Sequence, residues 1–342
     1  MADYLAPLLS SWGFQVTLEE VLPNRPNLIA RAPGPNDRPR ILLGPHLDTV
    51  AVDGMTIDPF SAEIRDEKIW GRGSSDTKGP MAAMLIALFK NKDLLAELPV
   101  AIDFVGFMGE ESHQPGSKHF AKHHASDYQF ALVGEPTSLH FVHATKGSLW
   151  ATVQTTGKST HASQPHLGEN AILKLTASLD LLNRKLTNRL ATYTHPSLGH
   201  STLNIGTISG GSSTNIVPDH AEATLDIRFT PDLQQDGGAN NLLQQLIDEH
   251  RLPLTITQAS EAPPMDVAAN HPWLQKFATA QPASQLVGAP WFSDAAHLND
   301  VGLPAICIGP GSIDQAHTAD EFIKIADLEA GAEWFTSLIK SL

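Results

Sequence analysis

Four short apolar runs constrain this chain most: Ile41-Leu42-Leu43, Val100-Ala101-Ile102-Asp103-Phe104-Val105, Phe130-Ala131-Leu132-Val133 and Pro304-Ala305-Ile306-Cys307-Ile308, each bounded by Gly, Pro or charge. Runs this short, with almost no polar alternation, suit strands buried on both faces of a largely parallel sheet. Between the first two, Met81, Met84, Leu85 and Leu88 recur at the spacing of one helix face. A second helix is predicted over Asp3–Trp12, ended by Gly13 where helices favour glycine. Strand and helix alternate, which predicts an α/β domain built on a mostly parallel sheet.

The middle of the chain has another texture. Trp150–Thr155, Thr202–Gly206 and Ala223–Phe229 alternate as half-exposed strands do, with helical stretches from Asn170 to Leu190 and from Asn240 to Glu249. Strand, helix, strand, strand, helix, strand predicts an inserted α+β unit of ferredoxin-like type. Its edges are placed at Lys146-Gly147 and Thr257, giving residues 1–147 and 258–342 to the α/β domain and 148–257 to the insert. Two domains suit 342 residues.

Composition excludes several classes. A formal net charge of −14 offers no basic face for nucleic acid or an anionic membrane. A lone cysteine, Cys307, forbids an internal disulfide framework and a zinc ribbon, and its apolar strand makes it a buried small residue. No basic leader with an apolar run and no membrane-length apolar segment is visible, so the expected location is the cytoplasm. His123-His124 and the His195/His200 pair read as loop histidines. Serine-nucleophile elbows, phosphate loops and dinucleotide fingerprints are absent.

The chemistry follows the buried runs. His46-Leu47-Asp48 comes after the first, Gly109-Glu110-Glu111 after the second, Gly134-Glu135 after the third, and Gly309-Pro310-Gly311 with His317 after the fourth. Ligands of open α/β sheets bind outside the carboxyl ends of strands, so these groups are expected to share one crevice. Asp76 joins them from the polar loop Gly73–Thr77. Two imidazoles and three carboxylates suit Zn²⁺, Co²⁺ or Mn²⁺ better than Ca²⁺. Two divalent ions would balance Asp76, Glu111, Glu135 and one hydroxide, and two neighbouring ions activate water and polarise a carbonyl together. Asp48 is expected to accept the second N–H of the His46 ring and fix it.

These motifs, with Ser75-Asp76-Thr77-Lys78-Gly79, Gly134-Glu135-Pro136-Thr137 and Gly309-Pro310-Gly311-Ser312-Ile313-Asp314-Gln315-Ala316-His317, resemble the M20 metallopeptidase family over nearly the whole chain and in the family's order. The resemblance implies a zinc-peptidase domain with an inserted lid and dimerisation domain. It also implies Asp76 bridging two zinc ions, His46 and Glu135 completing one site, and Glu111 and His317 the other. Glu110 becomes the general base.

Gly157–Ser163 and Pro165–Ala171 resemble the family's lid. They imply that His161 stabilises the oxyanion in the partner subunit of a homodimer. Arg228, with Asn215 assisting, would clamp a substrate carboxylate, and backbone N–H groups around Gly309 and Gly311 would hold the same group. The family's additional N-terminal helix has no counterpart before Asp3. The implied reaction is hydrolysis of an N-acyl amino acid, with N-acetyl-ornithine favoured because the metal-loop stretches are most similar to the acetylornithine-cleaving branch. Desuccinylation, C-terminal exopeptidase action of the carboxypeptidase G2 type, or binding of an amino-acid derivative without catalysis are the alternatives.

Overall fold

The computed structural model describes residues Met1–Leu342, which divide into two compact units: Met1–Ala144 with Met265–Gly288 and Ser293–Leu342, and Thr145–Pro264 with Ala289–Phe292. In chain order the first unit opens with α1 (Ala2–Ser11), β1 (Gln15–Leu22), β2 (Arg25–Arg31), β3 (Arg40–Pro45), β4 (Glu63–Arg65) and β5 (Lys68–Trp70). It continues with α2 (Lys78–Lys90), β6 (Ala101–Gly106), α3 (Pro115–His124), β7 (Phe130–Gly134) and β8 (Phe141–Thr145). The second unit holds β9 (Gly147–Thr156), α4 (Ala171–Leu190), β10 (Thr194–His195), β11 (Gly199–His200), β12 (Thr202–Gly210) and β13 (His220–Phe229). It then adds α5 (Pro231–Gln235), α6 (Gly238–Glu249) and β14 (Thr255–Ala262). The chain re-enters the first unit with β15 (Met265–Asp266), α7 (Pro272–Ala280) and β16 (Leu286–Ala289), then α8 (Ala295–Asp300), β17 (Ala305–Ile308), β18 (Phe322–Lys324) and α9 (Ile325–Lys340).

The main sheet runs β1-β2-β6-β3-β7-β17-β8-β15, with β16 beside β8. Its four central strands, β6, β3, β7 and β17, are parallel and completely buried. They are the four apolar runs of the sequence. Antiparallel strands flank them, so the whole sheet is mixed. Period-2 burial is lost in the centre because helices cover both faces. Leu5 and Leu9 of α1, Met84 and Leu88 of α2, and Phe335 and Leu338 of α9 join Leu43, Phe104 and Phe130 in one core. α1 ends at Trp12, and Gly13 takes a positive φ of 91°, the left-handed stop that glycine provides. Parallel neighbours bring their carboxyl ends to one edge, which gathers the loops after β3, β6, β7 and β17.

The second unit has the strand order β12-β13-β9-β14, antiparallel throughout. Leu149, Ala151 and Val153 of β9 point with Leu225 and Ile227 of β13 toward Leu175 and Leu182 of α4 and Leu243 of α6. Asn170 caps α4 by accepting the Leu173 N–H at 3.1 Å. The expected edge after Thr257 falls inside β14, which stays paired with β9 as far as Ala262 opposite Ser148, so the unit continues to Pro264. Two loop readings also change. His123 and His124 lie in the last turn of α3, and His195 and His200 sit on the small β10-β11 hairpin. No helix is long and apolar enough to cross a membrane.

Candidate metal centre

All five expected metal ligands lie in the first unit. His46 follows β3 directly, Glu111 lies in the loop from β6 to α3, Glu135 follows β7, and His317 belongs to the loop after β17. His46, Asp76 and Glu111 each bring one ligand atom to within 4.8 Å of the others. Asp76 stands between two imidazoles, with Oδ1 at 2.9 Å from His46 Nε2 and Oδ2 at 3.4 Å from His317 Nε2. His317 Nε2 lies 3.2 Å from Glu111. Glu135 is buried and accepts the Ser293 hydroxyl at 2.9 Å.

The electrostatics are those of a site short of positive charge. Burial alone would lower His46, but Asp76 and the charges of Glu110 and Glu135 hold it well above its ordinary range. Burial pushes Asp76 up, and the two imidazoles bring it below the usual carboxylate range. Burial lifts Glu135 to about 8 and Asp294 to about 7. Glu110 rises well above the ordinary value through burial and the carboxylates of Asp294, Glu135 and Glu111, against the pull of His46. Clustered carboxylates sharing two imidazoles are a donor set that divalent cations complete. The residues therefore fit a metal centre, with one Asp76 oxygen directed to each side.

Asp48 does something other than expected. The His46 ring reaches Asp48's backbone oxygen, 3.0 Å from Nδ1, while the nearer carboxylate oxygen is 3.7 Å away. That carboxylate instead accepts the N–H groups of Gly109 (3.0 Å), Glu110 (3.1 Å) and Glu111 (3.3 Å). It braces the loop that carries Glu110 and Glu111. Gly309 is also reassigned. Its N–H already donates to Thr137 Oγ1 at 3.2 Å, and a Cβ there would lie 2.6 Å from the Glu135 carbonyl oxygen, so close packing is its role. Gly311 is buried with φ +87°, and its carbonyl accepts the Ser138 N–H at 2.8 Å.

Sequence reasoning missed Glu321, Ser293 and Asp294. Glu321 is completely buried and accepts the N–H groups of Gly73 (2.9 Å), Ser75 (2.9 Å) and Asp76 (3.0 Å) together with Arg72 Nη1 (2.8 Å). Asp294, also buried, accepts the Ser117 hydroxyl. A glutamate before Phe322-Ile323 carries no local mark of burial. The one available signal was a cluster of loop N–H groups, Gly73 to Asp76, that needs an acceptor.

His161, Asn215 and Arg228 belong to the second unit. His161 pairs with Ile216 as an antiparallel bridge, and the Ala162 N–H donates to the Asn215 carbonyl at 3.0 Å, so His161 and Asn215 share one exposed ridge. The Ser163 N–H, an obligatory donor, points to His161 Nδ1 at 3.2 Å. Nδ1 is therefore the acceptor, which places the proton on exposed Nε2. Arg228 is gripped by Asp226 through Nε at 2.8 Å and Nη2 at 3.0 Å.

Comparison with known proteins agrees with this geometry. Residues 42–341 match the model of peptidase family M20/M25/M40. The acetylornithine deacetylase of Vibrio cholerae serotype O1 is 32% identical over 331 residues, covering 93% of this chain and 85% of that protein. The M20 family metallo-carboxypeptidase Sso-CP2 of Sulfolobus solfataricus superposes with a TM-score of 0.79 at 18% identity, over 99% of this chain and 93% of that one. A dinuclear metal-binding M20 peptidase of Bacillus subtilis gives a TM-score of 0.67 at 15% identity, over 98% and 90%.

Proposed function

The chain belongs to peptidase family M20/M25/M40 and is a hydrolase, and from that premise we propose that it deacetylates N-acetyl-ornithine to acetate and the free amino acid with two Zn²⁺ ions. The observation that carries the metal-dependent reading is Asp76, whose two oxygens face His46 and His317. His46, Glu135 and Asp76 would hold one ion, and Asp76, Glu111 and His317 the other, with Co²⁺ or Mn²⁺ as substitutes. Ions held there supply Lewis acidity for a scissile carbonyl and for water.

The chain's own groups account for the proton traffic. Glu110, raised by burial and by its carboxylate neighbours, takes a proton from the attacking water as the oxygen bonds to the amide carbon. When the C–N bond breaks, Glu110 returns that proton to the leaving nitrogen. His161 Nε2–H is the donor for the oxyanion, supplied to the partner subunit's site. Asp226 occupies the Nε side of Arg228, which leaves the outer guanidinium N–H groups for a substrate carboxylate, with Asn215 beside His161.

The same reading includes a homodimer through the second unit. β12 is an edge strand, exposed along almost its whole length, with Ile205 and Ile208 in the open. An apolar free edge favours pairing with a second copy. A solution mass of 36.8 kDa in an active sample, rather than twice that, refutes it.

N-acetyl-ornithine is favoured by the acetylornithine deacetylases, which are 32% identical over more than nine-tenths of the chain. The test is amine release from N-acetyl-ornithine, N-succinyl-diaminopimelate and a glutamate-terminated folate analogue. The reading expects kcat/KM for N-acetyl-ornithine to lead by at least ~10-fold. A lead for either competitor moves the substrate to the desuccinylase or exopeptidase branch. Metal binding without any turnover points to an amino-acid-derivative binding protein.

A further inference from the structure

A cavity of about 280 Å³ lies within the first unit, between β5, β18 and the helices α2 and α9, and none of the metal ligands lines it. Its walls are chiefly apolar: Phe60, Ile69, Trp70, Ile323 and Leu328, with Ala82 of α2. Set among them are Arg72, Ser74 and Lys78. Arg72 is only 6% exposed and gives Nη1 to Glu321 at 2.8 Å. Its Nε, like Ser74 Oγ, is buried and finds no hydrogen-bond partner in the chain.

A packing defect that stays dry is lined by apolar groups. Here two orphaned donors belong to lining residues, and buried donors without acceptors are rare in folded chains. Charge points the same way. Glu321 neutralises Arg72, Lys78 donates to the Arg72 carbonyl at 3.3 Å, and no lining residue is acidic, so one positive charge is left unbalanced. A singly charged anionic head matches it, which favours a carboxylate over a phosphate. The rest of the ligand must be hydrocarbon, because the walls offer it little else. Phe60 lines the cavity yet is 77% exposed, and an apolar body held there would cover its ring. The volume is just under the roughly 300–1,000 Å³ of sites for drug-sized ligands, so that body is short.

We propose that this cavity binds a small carboxylate with a hydrocarbon body of about six to eight carbons. The head would sit on Lys78 and Ser74 with the Arg72 Nε–H behind, and the body against Trp70, Ile323 and Leu328.

The test is calorimetric titration of the metal-loaded protein with octanoate, and with octylamine as the charge control, in wild type, Lys78→Met and Ala82→Leu. Octanoate is expected to bind wild type at a site that Ala82→Leu, by filling the cavity, removes and that Lys78→Met weakens ~10-fold or more. Octanoate binding that persists unchanged in Ala82→Leu belongs to the metal centre and overturns the proposal. Octylamine binding as tightly as octanoate, or no octanoate binding at all, also overturns it. Should Ala82→Leu fail to fold, NMR of wild type decides: octanoate is expected to shift the Trp70 indole N–H resonance, and an unshifted resonance contradicts the site.

Discussion

Glu321 accepts the backbone N–H of Asp76 at 3.0 Å, so a buried carboxylate outside the metal centre sets the orientation of the one inside it. The same side chain takes the N–H groups of Gly73 and Ser75 and pairs with buried Arg72 at 2.8 Å. Substituting Glu321→Gln keeps the shape but turns an amide N–H₂ toward backbone donors. Metal affinity is expected to fall ~10–100-fold, as read by chelator competition. Glu321→Ala also strands the Arg72 charge and is expected to cost about 3–5 kcal/mol in urea unfolding. A Glu321→Gln protein that holds metal as tightly as wild type contradicts this role.

Asp48 acts on the loop that carries Glu110 and Glu111. Because its carboxylate braces the N–H groups of Gly109, Glu110 and Glu111, Asp48→Asn is expected to lower kcat ~10–100-fold while KM changes little. A change confined to KM would place Asp48 in substrate binding instead.

Metal uptake is expected to expel protons. Hydrogen bonds that His317 donates to Asp76 and Glu111 hold it at about 10 in the metal-free chain, burial lifts Glu135 to about 8, and His46 also stands well above its ordinary value. At neutral pH these ligands carry protons that a cation must displace, so affinity rises as pH rises from 7 towards 10. Calorimetry in buffers of different ionisation enthalpy is expected to show about two protons or more released per chain. A binding enthalpy independent of buffer refutes it.

His297 gives an acid-sensitive contribution unrelated to the ligands. Burial, reinforced by the Lys118 charge, pushes it down to about 3, whereas an unfolded histidine titrates near 6.5. The folded state thus disfavours the proton. Stability from this group is complete above pH 6.5 and drains as pH falls towards 3. By pH 5 wild type is expected to lose about 2 kcal/mol more than His297→Gln. Matching urea midpoints for the two proteins at pH 7.5 and 5 decide the point, and parallel pH dependence refutes it.

Much of this architecture was legible in the residues. The central strands showed themselves because burial on both faces removes polar alternation, and His46, Glu111, Glu135 and His317 because each follows such a strand, whereas Asp76 stands in the polar loop before α2. What escaped was non-local. Nothing beside Glu321 in sequence says that it meets Gly73, Ser75 and Asp76, nearly 250 positions away. The Asp48 carboxylate was assigned to the adjacent ring because sequence proximity suggested it, yet three loop N–H groups outcompete one imidazole. The edge at Thr257 was misplaced because the pairing of β14 with β9 continues through polar residues such as Ser260 and Glu261 that look like a linker.

The most direct measurement is acetate release from N-acetyl-ornithine by chelator-stripped protein, before and after Zn²⁺ is restored, for wild type and Glu110→Ala. The account predicts no turnover in stripped wild type, full recovery with zinc, and a zinc-loaded Glu110→Ala protein slower by ~10²–10⁴-fold. Turnover that survives stripping, or a metal-loaded Glu110→Ala protein as fast as wild type, would contradict it.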